Sequence, residues 1–440
     1  MPNRPPSSWP VLALSLSIAL AAAGPMPASA AAARPGSAIF IHPDGMGANT
    51  WMAVRLAQVG PDGRLAWDRL PAVAAYVGPM SDRLHASSDG GATTHAWGVR
   101  ADVDSYGMVG GRPIPAARSG RPLSLMHEAI AAGKAVGIVN TSSVTEPGTG
   151  AFLAAVPDPD AESDIAAQIL AARPQLILGG GERWFLPAGR RGVHGAGVRS
   201  DGRDLVAEAR AAGYRVVHTR AELLALESPA PGGEVPRVLG LFASEALFDE
   251  GSEEALARRR RGAFVEGAPR FDEMMAVAQR LLAGAPQGFL LVGNEETTDN
   301  LGGDNNAAAV LEAGAGADRA IAGALELAAR DPGLTVVVAS DSDCGGMLVR
   351  GRDLPGLGSV ERRGPNGAPQ DGLAGRPFLA APDRAGRRLP FTIAWAAAND
   401  GAGGLVARGA GPGATLIRGT IDSTDVYRAL YLGLFGRELP

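Results

Sequence analysis

The 440-residue chain has one cysteine, Cys344, and six histidines, and aromatic residues make up 5% of it. A single cysteine excludes an internal disulfide, so stability must come from core size and bound metal. The net charge is −5 and no basic stripe is present, which argues against nucleic acid as a partner. Beyond the N-terminus no uninterrupted apolar run approaches the roughly 20 residues that a spanning helix requires. The 61 glycines and 33 prolines follow no period. That suits a loop-rich α/β enzyme better than a fibrous or disordered chain.

The chain opens with a pattern for export. Arg4 precedes an apolar run from Val11 to Ala23, and Pro25, Pro27 and the small residues Ala28-Ser29-Ala30 follow. This reads as a signal peptide over residues 1–30 with an A-x-A-like cleavage site. The run is too short to remain as a membrane anchor. The mature protein, residues 31–440, is therefore expected to be soluble and periplasmic or secreted.

Short apolar runs recur along that length: Ala38–Ile41, Val73–Val77, Ala135–Val139, Leu176–Leu178, Val238–Phe242, Phe289–Val292, Thr335–Ala339 and Phe391–Trp395. Bounded by Gly, Asp or Ser, they read as buried strands of a mainly parallel sheet. Helical stretches alternate with them, among them Ala161–Ala172, Asp272–Ala283, Asn305–Ala329 and Asp425–Phe435. The expected fold is α/β, a doubly wound central sheet flanked by helices. Two Gly- and Pro-rich stretches, 226–236 and 351–387, read as surface insertions.

Many of these strands run directly into acidic or hydroxyl residues. Ile41 leads to Asp44, Val139 to Asn140-Thr141-Ser142-Ser143, Val292 to Glu295-Glu296-Thr297-Thr298-Asp299, Ala339 to Ser340-Asp341-Ser342-Asp343, and Trp395 to Asn399-Asp400. In an open parallel sheet the carboxyl ends of the strands share one edge, where ligands bind. A lone Asp in such a place is well explained as a helix cap or turn residue. Several carboxylates converging on one pocket would repel one another and need a multivalent cation. An oxygen-only ligand set favours Mg²⁺, Ca²⁺ or Mn²⁺.

The stretch Ile39-Phe40-Ile41-His42-Pro43-Asp44-Gly45-Met46-Gly47 resembles the opening strand and Gly-Asp-Gly-Met-Gly turn of the alkaline phosphatase family. Ser87-Ser88-Asp89-Gly90-Gly91-Ala92-Thr93-Thr94-His95-Ala96-Trp97-Gly98-Val99-Arg100 is similar to the family's nucleophile helix, with Ser88 on the nucleophile. A gapped alternative would put Gly90 there instead. The resemblance continues in order through Thr141–Phe152, Phe289–Asp299, Thr335–Asp341 and Ile421–Asp425. It implies metal ligation by Asp44, Thr149, Glu295, Asp299, Asp304, Asp341, Asp343 and Asp400, with Glu146 and Glu296 as alternates to Thr149 and Glu295. It also implies substrate contacts from Asp89, Gly90 and Gly91. The start of a Gly-rich helix favours a bound anion through its free N–H groups and dipole, independently of any family.

The pattern departs from the family at its histidines. Ser342 follows Asp341, Asn or Asp stands after Asp299, and Asp400 stands near the last strand. Two or three divalent ions are thus expected, Mg²⁺, Ca²⁺ or Mn²⁺ in preference to Zn²⁺. The family's phosphate-clamping arginine is replaced by the acidic stretch Ala154–Asp160. His42, His85 and His95 lie near the motifs, although a lone histidine is more often structural. The expected activity is metal-dependent hydrolysis of a small phosphorylated substrate through a phosphoserine, in a chain compatible with a homodimer. The rivals are a diesterase or sulfatase-like hydrolase of the same superfamily and a non-catalytic metal- or anion-binding protein.

Overall fold

A computed structural model describes residues 36–229, 233–351, 358–364 and 367–440. The signal peptide expected over residues 1–30 lies outside these. Ten strands form the main sheet: β1 (Ser37–Pro43), β2 (Ala72–Val77), β3 (Ala135–Ser143), β4 (Leu176–Gly180), β5 (Arg215–Val217), β6 (Val238–Leu241), β7 (Phe289–Glu295), β8 (Leu334–Val338), β9 (Leu405–Ala410) and β10 (Arg418–Asp422). Their order across the sheet is β10-β2-β9-β8-β1-β7-β3-β4-β6-β5. Only β9 runs against its neighbours; the other pairings are parallel.

β1 lies between β8 and β7 and is buried at every position. A strand covered on both faces reads as a continuous apolar run rather than an alternation. Successive side chains still point to opposite faces. Ile39 and Ile41 enter one core layer, with residues of α1 (Ala48–Val59), α3 (Phe271–Leu282) and α5 (Ala307–Arg330). Ala38 and Phe40 enter the other, with α2 (Ser88–Trp97) and α6 (Thr424–Phe435). A short helix, α4 (Thr297–Gly303), starts directly after β7.

Three expectations change. Phe391–Trp395 belongs to a separate 4-stranded antiparallel sheet rather than to the main one. A short apolar run has the same appearance in either setting. Two short strands of that sheet, Gln370–Asp371 and Phe378–Leu379, come from 351–387, so the described part of that insertion is not all loop. β9 and β10 escaped notice because Arg408, Gly409, Arg418 and Gly419 interrupt their apolar character. By contrast, the described part of 226–236 carries no helix or strand.

The end of the sheet also depends on one hydroxyl. Thr335 in β8 is fully buried, and its Oγ1 accepts a hydrogen bond from the buried N–H of Gly413 at 2.9 Å. Valine has the same shape but no acceptor, leaving that N–H unpaired. Thr335→Val should therefore lower unfolding stability by about 1–3 kcal/mol, measured as a urea midpoint shift.

Candidate metal centre and nucleophile

The register of β1 against β7 sets His42 opposite Asn294 and Pro43 opposite Glu295. The Asp44 N–H then donates to the Glu295 carbonyl at 3.2 Å. At the next residue the chain turns with φ +65 at Gly45. A Cβ here would come within 2.6 Å of Asp299 Oδ1 and 2.7 Å of Cys344 Cβ. Only glycine allows both that conformation and that approach. The loop after β8 is tied to the same turn: Ser340 Oγ accepts from Met46 N–H at 3.0 Å and donates to the Ser342 carbonyl at 2.8 Å.

The edge thus gathers two groups of ligand atoms, each within 4.8 Å of one another: His42, Asp44 and Asp341 in one, Asp299, Cys344 and Asp400 in the other. His42 Nε2 lies 3.3 Å from Asp341 Oδ1 and 3.9 Å from Asp44 Oδ1. Ser342 Oγ donates to Asp400 at 2.6 Å and orients it. The His42 ring is packed edge-on against His95 at 5.3 Å, and His95 Nε2 is 2.8 Å from the Tyr76 hydroxyl. Burial and then His42 push His95 down to about 3.

Several atoms of these groups lack a protein partner. Neither carboxylate oxygen of the fully buried Asp44 has a hydrogen bond, and Asp299 Oδ1, Asp341 Oδ2 and His42 Nδ1 are also unpaired. Burial, followed by the charges of Asp341, Glu296 and Asp299, pushes Asp44 well above the usual carboxylate range. Glu296 is pushed up to about 8 by burial and Asp341. Asp341 goes the other way: burial raises it, but the adjacent His42 holds it below its ordinary value. Burial, and then Asp299 and Asp400, keep the Cys344 thiol well above its ordinary range. Buried, unpaired and mutually repelling oxygens are the environment that a divalent ion satisfies. The donors fit such ions, with His42 and Cys344 added to the oxygens.

α2 closes the site from the other side. A Cβ on Gly91 would lie 2.4 Å from the Asp341 side chain, so this face of α2 meets the cluster directly. Residues three and four apart share a helix face. Ser88, three residues before Gly91, and His95, four after it, therefore lie on that face, with Ser88 in the first turn. Asp89 is pushed to about 7 by burial and by Asp104, Asp160 and Asp341. The Gly90 and Gly91 N–H groups are engaged by Ser87, by its Oγ at 3.3 Å and its carbonyl at 2.8 Å. They give room for close packing, and the substrate contact expected of their amides is not available in this arrangement.

Four of the expected ligands lie outside both groups. Glu295 turns away and accepts from Thr141 Oγ1 at 2.7 Å, while its neighbour Glu296 faces the charges of Asp44 and Asp341. Glu295 is the last residue of β7, whereas Glu296 caps α4 with helical φ −70 and ψ −28, so the two adjacent carboxylates meet different surroundings. Thr149 Oγ1 accepts from Asn140 Nδ2 at 3.0 Å, whereas Glu146 feels the charges of Glu296 and Asp89. Asp304 accepts from the Gly251 N–H at 2.6 Å. Asp343 is packed against Gly47 and Gly403. Cys344 had no signal in the sequence, and His42 was visible only as a histidine beside the turn.

The alkaline phosphatase family model matches residues 37–367. The chain belongs to the alkaline phosphatase family. Streptomycin-6-phosphate phosphatase of Streptomyces griseus is 31% identical over 343 residues, covering 69% of this chain and 73% of that protein. The tissue-nonspecific alkaline phosphatase of Gallus gallus is 30% identical, with 72% and 66% covered, so the match leaves about a third of that relative's length unspanned. Among solved structures, the alkaline phosphatase of Thermus thermophilus superimposes with a TM-score of 0.69 at 22% identity, covering 93% of each chain. That of the Antarctic bacterium TAB5 gives 0.68 at 17%, covering 91% of this chain and 98% of the other. Membership of the alkaline phosphatase family supports hydrolysis of phosphoesters and implies divalent metal ions, which the unpaired oxygens of this site suit.

Without metal, this alkaline phosphatase site should oppose folding at high pH. Glu296 is raised to about 8, Glu295 to about 7 and Asp343 to about 6, in each case first by burial. Their folded values lie above those of the unfolded chain, near 4. The folded state then holds more protons, and stability falls as pH rises through this window. Metal-stripped protein should show a urea midpoint that declines from about pH 5 to about pH 9. Adding a divalent ion at the upper end should restore it.

Proposed function

We propose that this protein hydrolyses phosphate monoesters of small molecules through a phosphoserine formed on Ser88. The observation that carries this reading is the shared face of α2, on which Gly91 abuts Asp341 and Ser88 stands one turn towards the helix N-terminus. Asp44, Asp341, Asp299 and Asp400, with His42 and Cys344, are the groups that would hold divalent ions. Such ions would lower the pKa of a coordinated hydroxyl or water and stabilise negative charge on the leaving oxygen.

The chain's own residues supply the rest. Ser88 Oγ attacks phosphorus as the ester oxygen departs, and its proton passes to solvent. Water then attacks the phosphoserine, releasing inorganic phosphate and regenerating the serine. The N-terminal end of α2 favours the anionic group. His95, kept neutral by burial, holds His42 in place edge-on. The signal at residues 1–30 supports a periplasmic or secreted site of action for the catalytic domain 31–440. Among the described residues no helix is long and apolar enough to cross a membrane.

A second reading, hydrolysis of diesters, is favoured by one feature. Asp89, Asp104 and Asp160 place negative charge beside Ser88, where arginine would pair with a dianionic monoester. A diester carries less charge and meets less repulsion. The streptomycin phosphatase relative, by its name, acts on a small phosphorylated molecule, which supports the monoester reading.

The test is turnover of an aryl phosphate and an aryl phosphodiester by metal-loaded enzyme. Monoester hydrolysis should dominate, and Ser88→Ala should reduce it by on the order of 10³-fold or more with bound metal unchanged. Undiminished turnover in the variant would remove Ser88 from its role, and preference for the diester would decide for the second reading.

A further inference from the structure

We propose that Cys344 is a metal ligand, completing through its thiolate a seat with Asp299 and Asp400 that prefers thiophilic divalent ions such as Zn²⁺, Co²⁺ or Cd²⁺. This rests on the reading of the site as a metal centre and assigns its second seat. Cys344 Sγ and oxygens of Asp299 and Asp400 lie within 4.8 Å of one another. A free buried cysteine ordinarily behaves as a small hydrophobe among apolar neighbours. Here its neighbours are carboxylates.

The backbone holds the thiol in that place. Cys344 N–H donates to the Gly45 carbonyl at 2.9 Å, and Gly345 N–H donates to the Asn399 carbonyl at 3.0 Å. The cysteine is therefore bound on one side to the turn that follows Asp44 and on the other to the loop that carries Asp400. A Cβ on Gly303 would sit 3.5 Å from Cys344 Sγ, ordinary contact distance. The thiol thus fills space beside α4 that a side chain four residues after Asp299 would enter.

An independent observation points to a ligand. Asp299, a member of this seat, has its Oδ1 buried without a hydrogen-bond partner. The Gly45 turn is in contact with both Asp299 and Cys344. Oxygen donors alone would favour a hard ion, but a thiolate shifts the preference to softer metals. On binding, the S–H bond is replaced by an S–metal bond and the proton goes to solvent. The other seat, with His42, Asp44 and Asp341, has no sulfur.

The full-length protein, stripped with a chelator and reloaded with Co²⁺, provides the test. Wild type should show a thiolate-to-cobalt charge-transfer band in the near ultraviolet. Cys344→Ser and Cys344→Ala should lack it and bind Zn²⁺ at least about tenfold more weakly, while Mn²⁺ uptake persists. Thermal melts of the metal-free variants check that they fold; if they do not, the wild-type band decides alone. Cobalt present by elemental analysis without the band would overturn the proposal and leave the metal centre standing. No uptake of Co²⁺, Zn²⁺ or Mn²⁺ by the wild type would overturn both.

Discussion

Asp44 is buried with no hydrogen bond to either carboxylate oxygen, and Asp341, Glu296 and Asp299 are close enough to raise its pKa. A folded protein tolerates such a group only if something else neutralises it. Much of the surrounding structure serves this arrangement. β1 carries Asp44 to the carboxyl edge between β7 and β8, the strands that deliver Glu296, Asp299 and Asp341. Gly45 and Gly91 remove side chains that would hold these elements apart. Ser340 and Ser342 fix the loops by hydrogen bonds rather than by charge.

Where the family pattern has histidines this chain has carboxylate or hydroxyl residues, and the two groups of potential ligands include one histidine and one cysteine from other places. His42 comes from the opening strand itself, and Cys344 from the loop three residues beyond Asp341. Carboxylate, imidazole and thiol are then divided between two groups, so the potential ligands are not oxygen alone. The argument for hard ions that holds for clustered aspartates applies less well to each group once nitrogen or sulfur joins it. The acidic character of the α2 entrance is a separate departure. Asp104 and Asp160 act on Asp89, next to Ser88 in α2, and raise its pKa.

Hydroxyl and glycine residues do much of the local work. Thr141 occupies the carboxylate of Glu295 and also accepts from the Glu296 N–H at 2.9 Å, so one hydroxyl helps turn the two glutamates apart. Tyr76 and His95 form a buried polar pair behind His42. These contacts leave the ligand side chains few alternative directions, and a site fixed before its ions arrive loses less on binding them.

Long periodic elements were legible in the sequence because their patterns are local: the apolar run of β1 and the amphipathic helices α3, α5 and α6 appear near the expected bounds. Acid after strand likewise put Asp44, Asp299 and Asp341 at one edge, since a strand's end in a parallel sheet fixes the edge it reaches, whereas Asp400 follows a strand of the separate antiparallel sheet, where that rule does not apply. The different surroundings of Glu295 and Glu296 depended on the chain's passage from β7 into α4 between them. The recruitment of His42 and Cys344 depended on packing between segments about 300 residues apart. Residue type and order alone determined family, edge and charge. Distances among side chains from different loops decided the ligand set, because only the folded backbone brings those atoms within reach of one ion.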